Sequence, residues 1–286
     1  MALNAFNKIG KAFDEGQVHY QYIYKTAIPA SGTAGYVVDA NQSSGIPVYN
    51  AYAGSALTFT PLTGNKNQGI YPGNFHSGKT KYLFRMQVLE VSGGSPNLFY
   101  LCDYLGFYSL VDCDSTDQQD MDNTVTLTRQ TSGEGVRAVL IASAPMTATA
   151  SVTVSYTNSN GVSGRTTTFN VIPATTIGVC ATGTSPTLGG AGQVSPFMPL
   201  DSGDSGIRSI DSVTFAAGAG GFVVIALVKP LAQIPTYETG VPSEKVFGIE
   251  GLRLPVIDEG AYLNFLVARG GTAALSMQSE LIFINT

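Results

Sequence analysis

Polar and apolar side chains alternate with a period of two through most of this chain. Val18, Tyr20, Tyr22 and Tyr24 stand between His19, Gln21 and Lys25, a pattern that predicts a strand with one aromatic face. Comparable runs follow: GYVVDA near 35, ALTFTPL near 56, KYLFRMQVLEV near 81, NTVTLTR near 123, VRAVLIA near 136 and ATASVTVSYT near 148. RSIDSVTF, GFVVIALVKP, AYLNFLVA and the terminal LSMQSELIFI continue the series. Gly, Pro, Asn and Ser separate them at roughly the 8–12-residue spacing of sandwiches and barrels. SVTVSYT and RTTTFNVI, joined by NSNGVSG, predict a hairpin, because Asn-Gly tolerates the positive φ of such turns.

Helical spacing is clear in one place only. Leu3, Phe6, Ile9 and Phe13 recur at steps of three, three and four, which puts them on one face of a short helix. Such a helix is marginal alone, so the stripe must dock on its own sheet or on a neighbouring subunit. NLFYLCDYLGFYSLV, residues 97–111, fits helix or strand equally. The breaker-rich run ATGTSPTLGGAGQVSPFMPLDSGDSG at 181–206 suggests a boundary. The expected organisation is a helical arm at 1–16, a β-sandwich at 17–180, a linker or arm at 181–206, and 207–286 as a second β lobe or the completion of the sandwich. The fold class is all-β, of β-sandwich or jelly-roll type, with a short N-terminal helix.

Composition narrows the surface. Hydrophobic residues make up 44% of 286, whereas charged residues make up 12%, about half the ~25% usual in soluble domains. The surface is therefore mainly Ser, Thr, Asn, Gln and Gly, which suits a subunit packed among others. A net charge of −5 without a Lys/Arg cluster argues against a grip on nucleic-acid phosphates. No run approaches the ~18 apolar residues that span a bilayer. Cys102, Cys113 and Cys180 lack metal-ligand spacing and fit reduced thiols of a protein made in a cytoplasm.

Several motifs resemble chemistry. Gly73, Gly78, Lys79 and Thr80 match the phosphate-loop pattern, but that loop needs a helix after it, and KYLFRMQVLEV alternates like a strand. Gly203-Asp204-Ser205-Gly206 matches the nucleophile region of chymotrypsin-like proteases. A serine nucleophile needs a base, and the two histidines, His19 and His76, lie in a Tyr-rich strand and a Gly-rich loop. Asp112, Asp114, Asp117, Asp120 and Asp122 crowd one segment. Asp112, Asp114 and Asp117 are candidate Ca²⁺ ligands, although Asp117 stands where an EF-hand needs Gly and Asn123 where it needs Glu; an exposed loop with Asx turns is the plainer reading. Tyr100, Tyr104, Phe107 and Tyr108 suit a core, a ligand groove or an interface. No catalytic or cofactor site emerges.

At FYLCDYLGFYSLVDCDSTDQQDMDN, GDSGIRSIDSVTF, GFVVIALVKPL and LPVIDEGAYLNFLV the chain resembles a family of tailed-bacteriophage virion proteins, over most of residues 97–268. The resemblance implies a capsid-associated role of the decoration, cement or vertex kind. The implied partners are further copies of the chain, as a trimer or pentamer, and capsid proteins of the particle, without direct nucleic acid or membrane contact. The implied location is the virion, after synthesis in the host bacterial cytoplasm. A jelly-roll major capsid protein and a tail or fibre module binding host glycans are the alternatives.

Overall fold

A computed structural model describes residues 2–30, 34–94, 96–182, 195–248 and 253–286, with side chains from residue 7 onward. The N-terminal helix α1 (Ala2–Asp14) is present. The N–H groups of Gly16 and Gln17 return to the carbonyls of Phe13 and Ala12, at 3.2 and 2.8 Å, closing its last turn.

Among the described residues sixteen strands follow. They are β1 (Val18–Ile28), β2 (Val37–Asp39), β3 (Ser44–Ile46), β4 (Phe59–Pro61), β5 (Lys81–Ser92), β6 (Asn97–Asp112), β7 (Gln119–Asp120) and β8 (Arg137–Ala142). Then come β9 (Ala150–Asn158), β10 (Arg165–Val171), β11 (Ile207–Phe215), β12 (Phe222–Thr236), β13 (Ser243–Val246), β14 (Val256–Ile257), β15 (Leu263–Arg269) and β16 (Leu275–Asn285). They form three antiparallel sheets, so the protein is an all-β, sandwich-type structure. The first sheet runs β13-β5-β16-β1-β3, with β14 also on β5. The central sheet runs β2-β15-β6-β12-β8, with β4 also on β6. The small sheet runs β10-β9-β11-β7.

Residues 207–286 contribute strands to all three sheets. β12 pairs with β6 and β8, and β16 pairs with β1 and β5. The strands on the two sides of the 181–206 run are thus paired with each other; residues 183–194 of that run lie outside the described residues.

The central sheet is covered on both faces. Phe99, Leu101 and Leu105 of β6 join Leu83, Phe283, Val154 and Phe215 in a core shared by all three sheets. Cys102, Tyr104 and Phe107 face a second core, closed by Val37, Tyr52, Leu62 and Tyr262. A strand buried on both faces reads as a continuous apolar run, which is why 97–111 showed no helix-or-strand preference. Register shifts between β6 and β12 change which residues face each core, as bulges do. Gly106 lies where Phe59 crosses β6: a Cβ there would come within 2.3 Å of the Phe59 ring.

Candidate functional site

The phosphate-loop match proves to be a turn. Lys79 N–H bonds the His76 carbonyl at 3.1 Å, the Lys79 ammonium lies 3.4 Å from Glu15, and the chain runs into strand β5. No helix N-terminus receives the loop. Lys81 is buried, donating to the carbonyls of Pro72 and Asn74 at 2.8 and 2.6 Å, and burial pushes its ammonium down to about 8.

The GDSG segment is likewise structural. Asp204 accepts bonds from Tyr156, Asn158 and Arg165 at 2.6, 2.7 and 3.0 Å. These donors, the Tyr156 hydroxyl first, hold its carboxyl below the usual range. Ser205 Oγ lies 2.8 Å from Ser159 Oγ, and Gly206 sits so close to the Gly133 carbonyl that a Cβ would come within 2.0 Å of it. His19 packs against the rings of Tyr71 and Phe283, on the first sheet, so it is not the partner of Ser205.

The acidic segment folds into local turns. Asp112 accepts the Asp114 N–H at 2.9 Å, and the Asp117 N–H bonds Ser115. Among the described residues no group of three or more His, Cys, Asp or Glu side chains could hold a metal ion. Asp112, Asp114 and Asp117, expected as Ca²⁺ ligands, thus form no such group among the described residues, and one Asp112 oxygen is taken up by the Asp114 N–H.

Of the N-terminal stripe, Ile9 packs with Ala12 against Ile284, Val18, Tyr82, Phe84 and Leu254. Phe13, 39% exposed, meets Phe84 edge-on at 5.4 Å. These two residues therefore rest on the protein's own first sheet; the side chains of Leu3 and Phe6 lie outside the described ones. Tyr104 and Phe107 enter the second core, Tyr108 bonds Asn123 at 2.6 Å, and Tyr100 borders a groove beside Phe197. All three cysteines are unpaired and buried, and burial raises their thiols, Cys113 to about 12. Among the described residues no helix is long and apolar enough to cross a membrane.

Two features escaped the sequence reading. One is a buried polar network under residues 40–52. Asp39 accepts the hydroxyls of Tyr52 and Tyr104 at 2.6 and 2.7 Å and the Asn41 N–H at 3.0 Å. Burial pushes its carboxyl up to about 6, against these donors. Asn41 Oδ1 accepts from Tyr262 and Asn264, and Asn50 Nδ2 donates to the Tyr262 hydroxyl. The fully buried Lys25 donates to the carbonyls of Ser43 and Pro47 at 3.1 and 2.6 Å; burial draws its ammonium down to about 8. The residues come from distant positions, so no local motif announces them.

The second feature is what that network supports. Ile46 and Val48 are each 56% exposed and Tyr49 is 50% exposed. Tyr24 of β1 pairs with Ile46 of β3, and farther along β1 Tyr20 and Tyr22 are 59% and 52% exposed. This edge of the first sheet carries large apolar side chains in open solvent, and such patches mark contact sites. Tyr20 and Tyr22 belong to the aromatic face read from the alternation, whereas Ile46, Val48 and Tyr49 stand in the run Ile-Pro-Val-Tyr between Gly45 and Asn50, which belongs to no alternating pattern.

Compared with protein-family models, curated proteins and solved structures, the chain matches none.

Proposed function

We propose that this protein is a non-enzymatic structural component of a bacteriophage virion, associated with the capsid as a decoration, cement or vertex protein. The observation that carries the reading is the exposed edge formed by Ile46, Val48 and Tyr49, held from beneath by a buried lysine and a buried carboxylate network. Buried charge is costly to maintain, and here it fixes a surface suited to contact. The charge-poor composition and the resemblance over 97–268 support the same reading. The capsid partner is the shell protein it bridges, and the location is the assembled particle. Quantitative mass spectrometry of gradient-purified particles tests it: the chain is expected at a fixed copy number below that of the shell protein. Its absence would refute the virion role, and equality with the most abundant chain would favour a jelly-roll major capsid protein.

A second reading rests on Tyr20 and Tyr22. They project from one face of β1, and their cross-strand partners on β16 are Ile282 and Glu280. Exposed rings beside a polar side chain suit a host glycan, as in a tail or fibre module. A glycan array showing specific binding that Tyr22→Ala abolishes would favour it over the capsid-associated role.

A further inference from the structure

β12 is paired along its whole length on one side and along part of it on the other. β6 accompanies it from Phe222 to Thr236, whereas β8 accompanies it from Val223 to Val228. Beyond Val228 no strand lies on that outer edge among the described residues. Part of the central sheet thus ends in open backbone, to which a further strand can add.

A groove follows this edge. Two adjoining hollows, of about 420 and 470 Å³, share Pro230, Leu231, Arg253 and Pro255 as walls. Pro230, Leu231, Ala232 and Gln233 all line the first. Successive strand residues point to opposite faces, so four in a row line one hollow when it runs along the strand's edge rather than over a face. The Gln233 carbonyl accepts a bond from Lys245 Nζ, another wall residue, at 3.3 Å, which turns it toward the groove. From Lys229 to Gln233 the edge is roughly 13 Å long, room for about four extended residues. Pro230 and Pro235 have no N–H to offer and so bound the stretch that can pair. Such an edge accepts a short segment and opposes the joining of whole sheets.

Charge defines what the segment carries. Lys229, Lys245 and Arg253 line the groove against one carboxylate, Asp258, on a chain whose net charge is −5. Asp258 is occupied by the Gln130 amide, whose oxygen takes the Lys229 ammonium. Among the described residues Arg253 forms no hydrogen bond or ion pair, and Lys245 has a carbonyl but no carboxylate. An acidic guest would supply the missing partners. The Tyr100 and Phe197 rings meet edge-on at 5.8 Å, so one covers a face of the other, and Phe247 is buried with Lys245 Nζ 5.7 Å from its centre. These rings favour aliphatic side chains over a sugar, which stacks on an open face.

We propose that the outer edge of β12 binds a short, extended, acidic segment of a partner protein, which adds as a strand beside residues 231–233 and sets its carboxylates against Lys245 and Arg253. That this partner belongs to a particle rests on the proposed virion role; the site itself does not.

The test uses the full chain and fluorescence anisotropy, with a labelled peptide of three Glu-Val repeats as the probe. It is expected to bind with a dissociation constant below about 1 mM, more weakly as salt rises. Lys245→Ala with Arg253→Ala weakens binding at least about tenfold. Arg253→Glu, at an exposed position, has an effect in the same direction and leaves the Lys245 bond to Gln233 in place, so a disturbed fold cannot mimic the result. A fully N-methylated copy of the peptide, which cannot pair along a strand, and a peptide of three Lys-Val repeats, which the cations repel, should each bind at least about tenfold more weakly. No binding of the Glu-Val probe at about 1 mM, or binding indifferent to the variants, would overturn the site. Equal binding of the N-methylated copy would overturn strand addition, leaving charge attraction alone. A preference for an oligogalacturonate over the peptide would overturn the proposal in favour of an anionic sugar. None of these results bears on the presence of the chain in particles, which the mass spectrometry decides separately.

Discussion

Asp39 is a fully buried carboxylate with three donors aimed at it, yet desolvation dominates and raises its carboxyl from 3.8 to about 6. A group whose folded value exceeds its unfolded value holds its proton more firmly in the native state. Its contribution is therefore fully present below about pH 4 and is lost as the pH rises through about 6. A shift of this size corresponds to roughly 3 kcal/mol. Urea unfolding between pH 4 and 7 is expected to show wild-type stability falling relative to Asp39→Asn by about that amount. Parallel curves for the two proteins would mean that Asp39 is not protonated in the fold. None of this was legible in the chain, since Asp39, Tyr52, Tyr104 and Tyr262 stand far apart in sequence and meet only through sheet pairing. Motif-like residues were easier to judge. Lys79 and Ser205 lacked the flanking helix or histidine their chemistry requires, and the structure gives them Glu15 and Ser159 as neighbours.

At the scale of elements, legibility followed burial. Strands with one exposed face showed themselves by alternation: β1 and the β9–β10 hairpin lie where the pattern and the Asn-Gly turn put them. The spacing of Leu3, Phe6, Ile9 and Phe13 likewise gave α1 its limits to within a residue or two. β6 did not declare itself, because burial of both faces removes alternation. Gly106 marks how tightly that strand is covered. Gly106→Ala would push a methyl group into the Phe59 ring and the Thr60 carbonyl, with an expected loss of about 1–3 kcal/mol by overpacking. Thermal unfolding would register this as a lowered midpoint, and an unchanged midpoint would show that Phe59 moves freely. The Ile46–Tyr49 projection was invisible for the opposite reason. It has no periodicity, and its significance lies in Lys25 and Asn50 beneath it.

For the whole molecule, three sheets share one large core, and strands from both ends of the sequence are interleaved: β1 and β16 are neighbours although they begin and end the sheet-forming chain. A body woven in this way presents surfaces of fixed relative position. Charged residues are 12% of the chain, and charged side chains are the ones depleted at the centres of protein interfaces. Electron cryo-microscopy of the parent particle tests the proposed role most directly. The account predicts density for this β-sandwich on the capsid, with Ile46, Val48 and Tyr49 buried against a neighbouring protein. A particle without the chain, or one in which that edge faces open solvent, would contradict it.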